Sequence, residues 1–438
     1  MIMTKDLSKK SLFRLLDGFT SEREIKKYLQ RFESDDFRFA VIKVGGAIVT
    51  DDLENLTDSI SFLHEVGLCP IIIHGCGPKL TSTLNEKNIE FEFIDGIRVT
   101  NEEVLVEAIK AFKDTNNLIV NALNKKNVQA ISYADGYFDC ELLDKKYGYV
   151  GEIKGLNIQE IKNSINNNKI PVIASLGALG SNQIVNINAD IAVLELAKIV
   201  QPDKVIFLTA TGGVLDENNK IISNISIKDD FDNLINKDWL HSGMKLKIEQ
   251  IKILLENLPS DSSCSITSPI DLPKELFSDS GKGTLVKKGH QIDKFKFVSE
   301  DYSNTIKSIL ENSFNGKVSN QYMNSIHYKK LFISSCKRAI ILLDDHKNIP
   351  YMDKFAVTPN ARGEGLGNSI WKKMIKENSK VFWRSRHGND INGFYKQISD
   401  GFHKTDKWNI FWIGVKNSDE IIECINYADS KEVSISYE

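Results

Sequence analysis

The chain has 438 residues, 41% of them hydrophobic and 26% charged, with a formal net charge of −3. That length is ample for a packed core and predicts two or three domains, while near-neutral charge gives no electrostatic reason to expect nucleic acid or a membrane surface as partner. No apolar run reaches the ~18 residues a membrane span needs, and six scattered cysteines, without a Cys-x-x-Cys pair or a metal-ligand spacing, predict reduced thiols in a cytoplasmic compartment and no metal site.

Residues 1–36 read as an amphipathic helical segment, with Ser21 and Glu24 as a capping box for a helix reaching about Phe32. Its acidic residues and lack of a secretory core argue against a targeting peptide. The run 41–48 (VIKVGGAI) is an apolar, β-branched strand carrying Lys43 just before Gly45 and Gly46. Glycines after a strand bring backbone N–H groups close to an anion, and a lysine beside them suits a phosphate. Taken alone, the run reads more readily as an ordinary strand-to-turn junction, with the lysine snorkelling to the surface.

From 38 to about 286, strand and helix patterns alternate. Strands read at 39–44, 70–74, 128–132, 171–174 and 204–208. Helices read near 54–66, 78–87, 101–124, 158–166, 188–200 and 243–257, with Thr100 and Glu103 as a second capping box. This alternation predicts a parallel α/β sheet covered on both faces, with ligands at the carboxyl ends of its strands. The glycine turns fall there. Residues 74–78 (HGCGP) open a helix with Pro78 in its first turn, 175–177 and 209–213 follow later strands, and 186–190 (NINAD) and 242–247 (SGMKLK) begin helices.

Residues 287–293 read as a short polar linker, after which the pattern changes. A helix at 304–313 is followed by strands near 330–335, 338–343 and 351–358. An Arg-x-x-Gly-x-Gly turn at 362–367 opens a helix through Ile370 and Met374, and later strands end at Arg386 and span 409–413. A strand, such a turn and a helix make a pyrophosphate cradle; a generic glycine loop fits almost as well.

The set KVGG, HGCGP, DGIRVT, NINAD, TGGVLD, GMKLK and ELFSDSGKGTLV resembles the amino acid kinase family, specifically N-acetylglutamate kinases, over about 38–287. The resemblance implies a three-layer α/β/α domain at 37–287 that moves the γ-phosphoryl of ATP, with Mg2+, onto the side-chain carboxylate of N-acetylglutamate. It places Lys43 and Lys247 on the transferring group, with Asp190 orienting both. It gives Gly45, Gly46, Gly75 and Gly77 as backbone donors, Arg98 as the grip on a substrate carboxylate and Asn186 as the contact to the acetamido region. Cys76, Ala210 and Ser242 depart from the usual glycine, aspartate and glycine, and a Cβ at position 76 could crowd a phosphate. The stretch holding Glu275 and Gly281 resembles the arginine-binding region of regulated members, which implies an arginine effector.

Further on, YMDKF, FWRSR, GNDINGFY and SDGF resemble the C-terminal domain of vertebrate-like N-acetylglutamate synthases and bifunctional synthase/kinases, over about 295–430. This implies a smaller α+β GNAT-type acetyltransferase domain at 294–438 using acetyl-CoA. Lys317, Tyr351, Lys354, Arg386 and Asn389 would grip glutamate, and Arg362, Gly363, Gly365 and Gly367 would hold the CoA pyrophosphate. Tyr395 would protonate the leaving thiolate; without the resemblance it reads equally as a core aromatic. The two resemblances together imply a bifunctional enzyme of arginine biosynthesis, a homo-oligomer built from dimers. Two other readings stand beside it: a kinase with a regulatory acetyltransferase-like domain, and an arginine-sensing synthase with an inactive kinase half.

Overall fold

The computed structural model describes residues 39–180, 183–259, 262–277, 282–362 and 365–437. The helix expected at 21–32, and the candidate residues Gly281 and Gly363, lie outside that set. The chain divides into two compact units between Lys288 and Gly289. Among the described residues no helix is long and apolar enough to cross a membrane.

In the first unit an eight-stranded sheet runs in the order Asn224–Ser226, Thr284–Lys287, Ser263–Thr267, Lys204–Leu208, Ala40–Val44, Ile71–His74, Ile170–Ala174, Ala130–Tyr133. Every pairing is parallel except that of Ser263–Thr267 with Thr284–Lys287. The period-two alternation of each strand divides the core. Val41, Ile73, Val205 and Phe207 pack with the helices Ala189–Val200 and Ser242–Asn257. Ala40, Ile42, Val44 and Ile72 pack with Leu53–Glu65 and Glu102–Lys125 on the opposite face. The result is three layers, helix on sheet on helix.

The five strands and six helices read from the sequence of this unit lie within two residues of the observed ones. A second sheet was not foreseen: Gln183–Asn186, Leu176–Leu179, Phe138–Leu142 and Gly151–Leu156, in that order. Its strands are short, polar or glycine-bearing, so none carries an apolar run to announce it. The Thr100/Glu103 capping box is also corrected. Asn101 is the N-cap of Glu102–Lys125, its side chain accepting from the Val104 N–H at 2.9 Å.

The second unit is built on a seven-stranded sheet in the order Ile292–Phe295, Lys330–Ser334, Ala339–His346, Ile349–Val357, Val381–Arg386, Trp408–Ile413, Gly401–Lys404. Only Ile349–Val357 and Val381–Arg386 are parallel neighbours, joined through the helix Leu366–Glu377 as a parallel crossover requires. That helix covers one face, over Phe332, Ile341 and Trp383. Ile306, Ile309 and Leu310 of Glu300–Phe314 cover the other, over Leu331, Ile333 and Ile340. The linker read at 287–293 is shorter than expected, because Ile292 already begins an edge strand paired with Lys330–Ser334.

Gly414 follows the strand Trp408–Ile413 with φ of +73°, and a Cβ there would lie 1.9 Å from the Ser379 carbonyl oxygen. A left-handed backbone costs about 1–3 kcal/mol for a residue with a side chain, and the clash with backbone adds to it. Gly414→Ala is therefore expected to lower the urea unfolding midpoint clearly; an unchanged midpoint would show that the 414 turn relaxes freely.

Candidate active sites

Strand parity decides where Lys43 points. It shares a face with Val41, beneath the two helices that begin at Ala189 and Ser242. Each of those helices brings one charged residue in its first turns. Asn188 caps the first by accepting from the Asp190 N–H at 2.9 Å, which fixes the backbone that carries the aspartate. The Lys43 ammonium lies 3.0 Å from Asp190 Oδ1, and the Lys247 ammonium 3.7 Å from Oδ2. The Lys247 head also sits 5.3 Å from the ring centroid of Phe207, the strand partner of Lys43. Burial alone would raise the Asp190 pKa, but the two ammoniums outweigh it and hold the carboxyl below its ordinary value. The Lys247 pKa is lowered by burial, against the pull of Asp190 and with Lys43 pushing the same way. One carboxylate against two lysines leaves a net positive site at the carboxyl end of the central strand.

The glycine turns meet beside this site. A Cβ on Gly46 would lie 3.0 Å from Pro78 Cδ and 3.2 Å from the Cys76 backbone, so the two turns touch and position 46 has no room for a side chain. Gly45 is the N-cap of Gly46–Asp51, and Gly46 and Gly77 open helices whose first N–H groups have no partner within the helix. Gly75 differs from expectation: its N–H donates to the Val44 carbonyl at 3.2 Å and ties two strand ends together. The Cys76 side chain is buried with Leu80, Leu84 and Ala174, and burial pushes the thiol up to about 12.

Arg98 and Asn186 converge on one residue the sequence reading left out of the site. The Thr100 hydroxyl donates to the Arg98 carbonyl at 3.1 Å and accepts from Asn186 Nδ2 at 3.1 Å. Arg98 is buried, its Nη2 donating to Thr81 Oγ1 at 2.7 Å and its guanidinium lying 4.5 and 4.6 Å from the ring centroids of Phe91 and Phe93. Nη1 is buried without a partner among the described residues, which leaves one guanidinium nitrogen with its donors unsatisfied. Glu275 is placed differently from its expected role. It is 1% exposed, and its carboxylate accepts the Gly283 N–H at 3.1 Å. In this conformation it is engaged by that N–H instead of facing solvent, and burial raises its pKa.

In the second unit the parallel strands Ile349–Val357 and Val381–Arg386 pair only at Tyr351–Phe382 and Met352–Trp383, then diverge. The candidate residues gather around this fork and at the chain end beside it. Tyr351 is fully buried against Phe382 and Tyr427, its hydroxyl unpartnered among the described residues and its pKa raised by burial. The Lys354 ammonium pairs with Asp353 Oδ1 at 2.9 Å. Asn389 donates to Ser385 Oγ at 3.1 Å. Lys317 pairs across its short strand with Ser436, and Arg386 lies 4.4 Å from the ring of Tyr437, so the segment 435–437 brings those two cations to one region.

Tyr395 packs against Trp371, Trp383 and Phe411, with ring centroids 5.2–5.9 Å away. Trp383 is the last paired residue before the fork, so the phenol sits under the point of divergence. Burial raises the pKa of its hydroxyl. Gly365 takes φ of +82° as the N-cap of Leu366–Glu377, and Gly367 lies in that helix's first turn. Arg362 reaches backward: its guanidinium donates to the carbonyls of Ser313 at 2.7 Å and Val357 at 3.3 Å.

A parallel α/β unit with glycine turns around a Lys–Asp–Lys cluster, followed by a unit whose sheet forks above a glycine turn, defines a two-unit transferase handling anionic ligands. Residues 38–268 match the model of the amino acid kinase family, and residues 289–431 that of NAT, the N-acetyltransferase of N-acetylglutamate synthase. The chain is 44% identical over 407 residues to the acetylglutamate kinase of Xylella fastidiosa (strain 9a5c), spanning 92% of this chain and 97% of that one. It is 43% identical over 422 residues to that of Xanthomonas campestris pv. campestris, spanning 95% and 99%. A solved structure of N-acetylglutamate synthase from Neisseria gonorrhoeae shares the fold, with a TM-score of 0.64 at 18% identity over 90% of this chain and 98% of that one. The chain belongs to the amino acid kinase family and carries a NAT domain behind its kinase domain.

The end of the strand Ile71–His74 holds a group the sequence reading quoted without a role. His74 is fully buried, and Asn116 Nδ2 donates to its Nε2 at 3.0 Å and to the Val172 carbonyl at 3.0 Å, which puts the ring proton on Nδ1. Burial lowers its pKa to about 4, against a lift from the Gly75 backbone. In the unfolded chain the ring takes its proton near pH 6.5, so stability should fall as pH drops from there toward the folded value. The slope from this group is at most about 1.4 kcal/mol per pH unit. His74→Gln should flatten the urea-unfolding profile between those limits; an unchanged profile would show that the imidazole takes its proton equally easily in the folded state.

Proposed function

We propose that the chain is a bifunctional enzyme. Its first unit phosphorylates the side-chain carboxylate of N-acetylglutamate with ATP, and its second acetylates the amine of glutamate with acetyl-CoA. The product of the second reaction is the substrate of the first. The observation that carries the kinase reading is Asp190 held between Lys43 and Lys247 at the open end of the sheet.

A carboxylate is already a nucleophile, so phosphoryl transfer to it needs no general base. The obstacle is the approach of two anions, which positive charge and positioning must overcome. ATP with its magnesium supplies the transferable phosphoryl group and part of its charge neutralisation. Lys43 and Lys247 supply the rest from the protein, and Asp190 keeps them together until the phosphates arrive. The touching turns at Gly46 and Pro78 suit a bare backbone approach to those phosphates. Arg98, whose buried Nη1 has no partner among the described residues, takes a substrate carboxylate, and Asn186, tied to it through Thr100, takes the acetamido group.

In the second unit the backbone of Ile349–Val357 beyond Met352 is no longer paired with Val381–Arg386, a place for an extended acyl-carrier arm to pair. The N-terminus of Leu366–Glu377 lies next to receive its phosphates. Tyr351, Lys354, Arg386, Asn389 and Lys317 provide cations and donors for glutamate, whose two carboxylates must be held while the neutral amine attacks the thioester. As the C–S bond breaks, Tyr395 gives its proton to the departing thiolate, and the proton shed by the acylated nitrogen restores the phenol. A second reading is favoured by one observation. The Xylella and Xanthomonas relatives, matched over nearly their whole length, carry the name acetylglutamate kinase alone. On that reading the NAT domain regulates the kinase.

Two experiments decide. Lys43→Ala and Asp190→Ala should each abolish ATP-dependent acyl-phosphate formation and leave acetylation of glutamate largely intact; loss of both activities in a folded variant would overturn the two-site reading. Tyr395→Phe should keep folding, acetyl-CoA binding and kinase activity, yet slow acetyl transfer by about 10²–10⁴, the worth of a positioned acid. A parent rate in that variant would make Tyr395 a packing residue, and no acetyl transfer by the parent protein would leave the regulated kinase.

A further inference from the structure

Asp353 occupies a break in the pleat. Leu342 pairs with Lys354 and Leu343 with Met352, so Asp353 is the extra residue of a bulge. It also stands where Ile349–Val357 leaves Val381–Arg386, since Met352–Trp383 is their last pair. In a regular strand, neighbouring side chains point to opposite faces; a bulge re-aims them. Here the consecutive residues Asp353 and Lys354 meet, carboxylate to ammonium, at 2.9 Å. The second Asp353 oxygen accepts the Tyr322 hydroxyl at 2.6 Å and lies 3.2 Å from the Lys329 ammonium. Lys329 reaches on to Asp344 at 2.9 Å, and Asp344 to Lys431 at 2.9 Å. Three lysines against two aspartates leave one positive charge in excess, beside the unpartnered Tyr351 hydroxyl.

We propose that Asp353 is a positioning residue for acetyl transfer, holding the Lys354 ammonium charged and aimed at the fork so that it can take a carboxylate of glutamate. The inference rests on the reading that Lys354 grips glutamate. Lys354 is nearly buried, 4.6 Å from the Tyr322 ring centroid. Burial favours its neutral amine, and the neighbouring positive charges of Lys329 and Arg384 act in the same direction; Asp353 opposes them. Around the pair, Asp344, Lys431, Tyr351 and Tyr427 complete the charged and titratable surroundings. A buried carboxylate touching two lysines and a phenol stabilises a charge on Lys354 that its surroundings would otherwise neutralise.

The test follows KM for glutamate in acetyl transfer, at saturating acetyl-CoA, from about pH 6.5 to about pH 10, spanning the range of a depressed lysine. Parent, Asp353→Asn, Lys329→Met and Lys354→Met are compared, with circular dichroism as the check on folding. The amine of glutamate titrates alike in every assay, so a shift between variants belongs to the protein. Asp353→Asn should raise KM by about tenfold or more and move its alkaline rise at least about one pH unit lower, with affinity recovered toward acid pH. Lys329→Met removes a like charge from beside Lys354 and should move the rise the other way. A folded Asp353→Asn protein whose alkaline rise stays in place would overturn the proposal. Should that variant not fold, a Lys329→Met rise that is unmoved or moved downward overturns it instead. Lys354→Met separates the two layers. An unchanged glutamate KM there removes the grip reading itself, whereas lost binding with no shift in the other variants removes only the role of Asp353.

Discussion

One carboxylate shared by two lysines is the constraint on which the first unit depends. Asp190 can stand between Lys43 and Lys247 only if a strand and two helix starts arrive together, and the fold delivers all three. The parity of Ala40–Val44 sends Lys43 to the side of Val41 and not of Ile42. Asn188 stops the chain and starts a helix so that Asp190 falls in the first turn. Lys247 lies in the early turns of the neighbouring helix, which packs on the same face. Unit charges about 4 Å apart interact by about 4 kcal/mol at an effective dielectric near 20. On the proposed reading, an arriving phosphoryl group competes for the lysines on terms close to those Asp190 already offers. The aspartate keeps the site compact before substrate arrives without closing it to substrate.

What could be read from the sequence follows from how each signal is encoded. Lys43, Asp190 and Lys247 were legible because each sits in a short motif at a strand end or helix start, and such punctuation survives without tertiary knowledge. The parallel sheet was legible for the same reason: β-branched runs alternating with amphipathic helices. Thr100 was misread as a cap because Ser, Thr and Asn compete for that task within one residue of each other. Asn101 took the cap, and the Thr100 hydroxyl was left to join Arg98 to Asn186. Thr81, Phe91 and Phe93 support Arg98 from separate elements, and nothing in their local sequence marks that contact. The role of Asp353 was equally invisible, since a bulge is a property of two strands in register and not of either alone.

The second unit depends on a different constraint, the separation of two parallel strands after a single pair of contacts. Closing the sheet fully would satisfy the backbone of Ile349–Val357 but leave no edge for an extended ligand to meet. The bulge at Asp353 and the divergence begin at the same residue, and a bulge both bends its strand and increases the local twist. Packing beneath combines aromatic and aliphatic groups: Trp383 meets the rings of Trp371, Tyr395 and Phe411, among Ile341, Leu343, Met352 and Ile370. That packed layer supports the last paired residues, Met352 and Trp383, from one face.

The two units therefore meet anionic ligands with opposite degrees of exposure. In the first, the three charged groups keep 13–22% of their side-chain surface, as suits the phosphoryl-transfer site proposed for them. In the second, Lys329 and Asp353 keep 6% and 8%. Buried ion pairs are poor sources of stability, because desolvation cancels much of their attraction and apolar residues of similar volume often do better. A fold needing only stability at this place would be better served by leucine or methionine than by three lysines, two aspartates and a phenol. What such a cluster provides is direction: each charge has a partner that fixes where it points. Direction is what acyl transfer to glutamate demands, because the amine must approach the thioester carbon on one trajectory while both carboxylates are held elsewhere.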